Sequence, residues 1–380
     1  MRKILYISGS RADYGLMRET LSRIKKYPGL KLDIIATGMH LMPEFGMTVK
    51  EIEKDGFNPI RINAIYEEDR KESMIRFVSK FLELFIDNLK SIKPDIILIL
   101  GDRIEMLGAA ITGAYLTIPV VHLHGGEVTL TVDEAARHAI SKLSHFHLVA
   151  TENSAKRLIK MGEEFWRIKI VGAPGLDDIL NETLLSEKEI AKKYDLYPLK
   201  PIVLVLQHPV TSEIEESGSQ MIETMEAIKK LEHQSVVIYP NADAGSREMI
   251  KIIENYRKFP FIKIYKNITR REFLSLMRVA RVLVGNSSSG AIEASSFCLP
   301  VINIGTRQKG RERGDNIIDV GYHKAQIKKA IEFAICSKKF RNALRKCKNP
   351  YGDGKTGIRV AKILSLLKID KKLLQKQITY

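Results

Sequence analysis

Apolar residues in this chain gather in short continuous runs, and between the runs they recur at every third or fourth position. The runs at residues 3–8 (KILYIS), 32–37 (LDIIAT), 95–100 (DIILIL), 119–123 (PVVHL), 146–150 (FHLVA) and 168–172 (IKIVG) read as strands. Helical spacing fills 14–26, 48–55, 72–90, 103–116, 133–143 and 153–161. A run that is apolar throughout, rather than alternating, belongs to a strand buried on both faces. Strands of that kind separated by helices predict a parallel sheet covered on both sides. A second series repeats the pattern, with strands at 202–206, 236–239, 261–265, 282–284 and 301–304. Helices are expected at 186–194, 219–231, 246–256, 271–279 and 290–296. Gly172-Ala173-Pro174-Gly175 breaks the regular pattern and reads as a hinge. The class is therefore α/β: two Rossmann-like, doubly wound parallel-sheet domains, residues 1–172 and 173–354, facing across a cleft. A helix near 358–367, within residues 355–380, is expected to cross back onto the first domain. The end, KIDKKLLQKQITY, reads as a loosely held tail.

At 380 residues the chain suits two domains, and its 44% hydrophobic content supports a full core. No stretch is long and apolar enough for a membrane span. The apolar run at the N-terminus is short and meets Arg11 and Asp13 rather than a cleavage site, so a cytoplasmic protein is expected. Cys298, Cys336 and Cys347 are odd in number and lack metal-ligand spacing, which points to reduced structural thiols. Lysine and arginine total 61 against 45 acidic residues, a net charge of +16. The basic residues are spread along the whole chain and no nucleic-acid signature accompanies them. A solvated surface and a small anionic substrate account for the charge, with no nucleic acid and no membrane as partner.

In parallel sheets ligands bind beyond the C-terminal ends of the strands, and the polar clusters here follow those ends. After 282–284 comes Gly285-Asn286-Ser287-Ser288-Ser289-Gly290, then a helical start. Free backbone N–H groups and a positive dipole end at that point make a phosphate site. Glu293, a turn further on, is placed to hold a ribose. Arg307, Lys309, Arg311 and Arg313 crowd the loop after 301–304. His208, after the strand at 202–206, joins Ser287, Ser288 and Arg307 around a diphosphate. In the first half, Arg11 offers a fork donor to a diphosphate, and His40 follows the second strand. Gly101-Asp102-Arg103, His122-Leu123-His124-Gly125-Gly126-Glu127, Asp133-Glu134 and Arg137-His138 set carboxylates near arginines, an acid–base site in outline. Asp102 also suits a helix cap. A metal held by His122, His124 and Glu127 is the rival, but no third ligand stands at a recognisable spacing. Neither metal nor cofactor is expected. No Gly-x-x-x-x-Gly-Lys-Ser/Thr loop occurs, and the loop after the first strand is not the dinucleotide fingerprint.

The blocks SGSRADYG, LGDRIEML, HLHGGE with VDEAARHAISKLSHFH, LQHPVT, YPNADAGS, GNSSSGAIE and INIGTRQKGRERG follow one another in this order. Together they resemble the hydrolysing UDP-N-acetylglucosamine 2-epimerases of sialic-acid-type biosynthesis, from residue 1 to about residue 357. The resemblance implies a GT-B-like pair of Rossmann domains with UDP-sugar between them. It implies that UDP-GlcNAc and water give N-acetylmannosamine and UDP by elimination through 2-acetamidoglucal and rehydration. By motif, Arg11, Asp13, Arg103, His208, Asn241, Ser287, Ser288, Gly290, Glu293 and Arg307 would bind UDP. Asp102, Glu127, Asp133 and His124 are the catalytic candidates. His124 stands where other branches carry glutamate, so the carbon-2 base stays open among the carboxylates. His40, His122, Arg137, His147 and Asp243 would position these groups. The same branch acts on UDP-2,4-diacetamido-2,4,6-trideoxyglucose, the legionaminic-acid precursor, which stays open as the substrate. A UDP-sugar glycosyltransferase on the same fold is the alternative of another class. A homodimer or homotetramer is expected.

Overall fold

The computed structural model describes residues 1–380 apart from 68–70, 129–131, 182, 211 and 242–243. Thirteen described strands form two sheets in which every pairing is parallel. The first sheet takes β1 (Arg2–Ser8), β2 (Leu30–Ala36), β3 (Ile60–Arg61), β4 (Ile96–Leu100), β5 (Val120–Leu123), β6 (Phe146–Val149) and β7 (Ile168–Ile170) in the order β3-β2-β1-β4-β5-β6-β7. The second takes β8 (Val203–Leu206), β9 (Ser235–Ile238), β10 (Ile262–Tyr265), β11 (Val282–Gly285), β12 (Val301–Ile304) and β13 (Ile317–Val320) in the order β10-β9-β8-β11-β12-β13. Each sheet starts in the middle and winds outward both ways. The strand order reverses between β1 and β4 in the first sheet and between β8 and β11 in the second. Those two points are where a doubly wound sheet opens a crevice at its carboxyl edge.

Successive side chains of a strand face opposite ways, and β1 shows the consequence. Ile4 and Tyr6 pack with Leu21 and Ile24 of helix Arg11–Lys26 and with Val360 and Leu364 of helix Thr356–Leu366. Leu5 and Ile7 pack on the other face with Phe77, Phe81 and Phe85 of helix Lys71–Ile92. Those three rings repeat at i, i+4 and stack at 6.1 and 5.1 Å between centroids. Truncating any one would cost about 3–5 kcal/mol.

The chain divides into two compact units, one of Met1–Val128, Val132–Leu180 and Tyr351–Tyr380, the other essentially Asn181–Pro350. Several described elements lie beyond the sequence pattern, among them these three. β3 has only two residues, β13 (IIDV) is a half-exposed edge strand, and helix Lys324–Cys336 follows it. An edge strand bares one side and loses the continuous apolar run that marks a buried one. The loosely held tail is overturned. Leu373 is fully buried, and Arg167 donates to the carbonyls of Leu373 (2.7 Å), Lys372 (2.7 Å) and Gln375 (3.1 Å). Among the described residues, no helix is long and apolar enough to cross a membrane.

Candidate active site

In the first unit the site begins where β1 ends. Ser10 caps helix Arg11–Lys26 in a capping box with Asp13. The Asp13 carboxylate accepts from the Gly9 amide (3.0 Å), the Ser10 amide (2.7 Å), the Ser10 hydroxyl (3.0 Å) and the Ser8 hydroxyl. The amides that a phosphate could have used thus serve Asp13, which shapes the loop. Burial is the main cause that lifts its pKa to about 6. His40 bridges Thr48 Oγ1 (2.8 Å) and Ser8 Oγ (2.9 Å). Because Ser8 donates to Asp13, Nε2 of His40 carries the proton and Nδ1 accepts. Burial, reinforced by Arg103, holds this neutral imidazole down at about 4. Arg11 opens the helix half-buried, and burial lowers its pKa.

Across the switch point, Gly101 ends β4 in the left-handed region (φ 76°), and Asp102 and Arg103 follow. Asp102 caps nothing: Arg103 is the N-cap of helix Ile104–Tyr115, and no side-chain cap bond forms. Asp102 instead accepts a hydrogen bond from Arg137 of helix Val132–Leu143. Arg103 turns back to Glu105 Oε1 (3.0 Å), which also accepts from Tyr66 (3.0 Å). Glu105, to which no sequence motif assigns a role, is fully buried against Gly9. A Cβ on Gly9 would lie 2.2 Å from its Oε1. Only glycine fits there.

β5 and β6 bring His122 and His147 side by side in register. His122 Nε2 donates to the Gly101 carbonyl (2.7 Å), and Nδ1 accepts from Ser141 Oγ (3.2 Å). Both ring nitrogens are engaged, and burial holds the ring near about 3. His124 lies past the end of β5 at φ 62°, so the strand alternation that would have aimed it alongside His122 does not extend to it. Among the described residues, no three His, Cys, Asp or Glu side chains gather where a metal could sit. Glu127 is buried, and Gly126 before it sits at φ 74° with its Cβ direction 2.3 Å from the Ser154 carbonyl. His147 donates from Nε2 to Glu163 (2.9 Å). Asp243 lies outside the described residues, as does the side chain of Asp133.

In the second unit β8 and β11 meet through a two-way clamp. Asn286 Oδ1 accepts from the His208 amide (2.7 Å), and Asn286 Nδ2 donates to the His208 carbonyl (2.9 Å). Gly285 makes the approach possible: at φ 134° any Cβ would lie 2.0 Å from the Leu206 carbonyl oxygen. The Asn286 carbonyl then receives Arg307 (3.2 Å) and Gln308 (2.9 Å). The Asn241 amide donates to His208 Nδ1 (3.0 Å), which leaves the proton on Nε2. Burial, with Arg307 adding to it, holds His208 well below its ordinary pKa, so the ring is a neutral donor.

Ser287 caps helix Ser288–Ile292 and shares a 2.6 Å bond with Ser289. The expected helix over 290–296 begins earlier, lasts five residues and turns into a 3-10 turn at Ala294–Phe297. Its dipole is correspondingly small. Gly290 packs on Val301, 2.9 Å from a would-be Cβ. Glu293 ends the helix, buried, in an ion pair with Arg270. Arg270 stands 23 residues away, and no local pattern marks it. Arg313 is held bidentately by Asp319 (2.6 and 2.6 Å), so it is less available to a ligand than Arg307.

Asp102 with Arg137 therefore stands at the first switch point, His122 holds the preceding Gly101 carbonyl, and His147 lies on the next strand beside His122. His208, Asn241, Ser287, Ser288, Arg307 and, through Arg270, Glu293 line the second switch point. A family model for UDP-N-acetylglucosamine 2-epimerase matches residues 22–365. The hydrolysing UDP-N,N'-diacetylbacillosamine 2-epimerase of Legionella pneumophila is 42% identical over 377 residues, 99% of this chain and 99% of its own. A UDP-N-acetylglucosamine 2-epimerase of Neisseria meningitidis serogroup B is 36% identical over 345 residues, 90% of this chain and 89% of its own. Among solved structures, UDP-GlcNAc 2-epimerase from Neisseria meningitidis bound to UDP-GlcNAc superposes with a TM-score of 0.82 at 18% identity, covering 95% of this chain and 99% of that one. That last likeness is one of fold.

Proposed function

This chain belongs to the UDP-N-acetylglucosamine 2-epimerase family and is an epimerase acting on a nucleotide sugar; from that premise we propose that it is a hydrolysing 2-epimerase. It converts UDP-GlcNAc and water to N-acetylmannosamine and UDP. The diphosphate is bound by the second unit through His208 Nε2, Arg307 and the Ser287–Ser288 turn, and Glu293 holds the ribose. The hexosamine is worked on by carboxylates of the first unit, Asp102 among them. A base takes the carbon-2 proton as the bond from carbon 1 to the diphosphate breaks. The electron pair of that bond leaves with UDP, and 2-acetamidoglucal remains. Water then returns hydroxyl to carbon 1 and a proton to carbon 2 on the opposite face. Donors aimed at the departing diphosphate and a carboxylate near carbon 2 are what this chemistry requires.

The observation that carries the proposal is the Asp102–Arg137 pair at the first switch point. The arginine partner holds the acid aimed, and Arg103 rather than Asp102 occupies the helix N-cap. The name of the 42% identical relative supports a second substrate, UDP-N,N'-diacetylbacillosamine, the same sugar as the trideoxy precursor weighed above. The test incubates the chain separately with each UDP-sugar in deuterated water and no acceptor. Release of UDP and a free 2-epimeric sugar carrying deuterium at carbon 2 is expected. UDP release only on adding a sugar acceptor would make the chain a transferase, and binding without turnover would refute catalysis.

A further inference from the structure

Several contacts converge on one amine. Lys376 Nζ donates to the carbonyls of Ser141 (2.9 Å), Lys142 (2.9 Å) and Ser144 (2.8 Å) and lies 2.6 Å from Glu163 Oε2. The first two carbonyls belong to the last turn of helix Val132–Leu143, which carries Arg137 roughly 6–8 Å earlier along its axis. A cation there complements the negative end of the dipole. Glu163 also accepts from His147, the register neighbour of His122. Ser141, whose carbonyl meets Lys376, gives its hydroxyl to His122, and His122 fixes the carbonyl of Gly101, the residue before Asp102. The partner of the Asp102 side chain and the backbone that bears Asp102 are thus both secured by groups ending at Lys376.

We propose that Lys376 is a positioning residue for the Asp102–Arg137 pair, and that residues 370–376 form a strap bracing the first unit's strand-end cluster. The inference rests on that pair being the acid–base site. Sealing the core is the simpler account of the strap, and Leu373 with Arg167 already does that without Lys376. Burial also pulls the amine down to about 8, a desolvation cost that docking alone does not require.

The test compares the full native chain with Lys376→Met, which keeps the stem and removes the charge, and with Glu163→Gln, which keeps the volume of the partner. Hydrogen exchange should accelerate about tenfold at residues 99–104 and 136–144 in both variants and stay native at 282–293. On the UDP-sugar that the native chain turns over, kcat should fall about tenfold while KM stays within about threefold. Native exchange in those two segments, or native kcat, overturns the proposal. So does equal acceleration in both units, since that is global loosening. If the native chain releases UDP from neither sugar, the functional proposal fails, and the exchange comparison still decides the strap.

Discussion

Replacing Asn286 with alanine tests how the strand-end cluster of the second unit is built. The amide makes two short bonds to the His208 backbone, at 2.7 and 2.9 Å, and all four atoms are buried. Alanine leaves the His208 N–H and C=O without those partners. An unsatisfied buried group costs about 1–3 kcal/mol, so the pair amounts to about 2–4 kcal/mol after some relaxation. The only tryptophan, Trp166, lies in the first unit and serves as an internal control. Guanidinium unfolding should be followed in parallel by far-ultraviolet dichroism and by tryptophan fluorescence, since a two-unit chain need not melt in one step. With a slope of about 2–6 kcal/mol per molar, a loss near 3 kcal/mol moves the second unit's midpoint down by roughly 0.5–1.5 M. The fluorescence transition should not move. UDP affinity, measured by calorimetry, should fall about tenfold or more, because the Asn286 side chain braces the His208 backbone, while the Arg307 contact, made to the Asn286 main-chain carbonyl, survives the substitution. A midpoint shift under about 0.2 M together with native UDP affinity would refute the clamp.

Asp102→Asn should leave UDP affinity within about twofold and reduce UDP release at least a hundredfold; joint loss of binding and folding would return Asp102 to a structural role. Gly9→Ala should destabilise the first unit by about 1–3 kcal/mol through the clash with Glu105. Adding Glu105→Asp should recover part of that loss in the fluorescence transition, and strictly additive losses would place the clash elsewhere. Acid should weaken the first unit before the second. His40 at about 4, His122 at about 3 and His145 at about 4 are neutral when folded and titrate near 6.5 when unfolded. Folded values below unfolded ones mean stability that is complete above pH 6.5 and is lost as pH falls toward the folded values. Asp13, raised to about 6, works the opposite way between roughly pH 4 and 6. His147, also lowered by burial, and Glu163, held at about 2, add to the histidine losses, and together they outweigh the gains from Asp13 and from Glu51 and Asp177, whose pKa burial raises, so the first unit loses stability by roughly pH 4.5. A fluorescence midpoint flat from pH 7.5 to 4.5 would contradict this.

What could be read from the chain alone, and what could not, follows from the range of the forces involved. β1, β4 and β5 announce themselves because burial on both faces writes itself into every position of the run. β13 is silent because an edge strand satisfies only half of that demand. The strand-end loops were legible as places where ligands meet a doubly wound sheet, so Asp102, His208 and Ser287 could be singled out. Their partners could not. Arg270 answers Glu293 across 23 residues, Glu105 dictates glycine at position 9 from the far side of the switch point, and Lys376 reaches Ser141 across 235. Each of those contacts is decided by which strands the topology makes neighbours, and sequence separation carries no trace of it.

The same limit hides the contacts that Asp13 makes. In sequence it is an acid beside an arginine in a glycine-rich loop, as apt for a ligand site as for a cap. In three dimensions it takes up the amides of Gly9 and Ser10 together with the hydroxyls of Ser8 and Ser10. A loop whose donors are already satisfied by its own carboxylate is rigid before any ligand arrives. That rigidity fixes Gly9 against Glu105, and Glu105 in turn holds Arg103. The carboxylate thus acts on its own loop, holding still the segment beside which Arg103 is anchored.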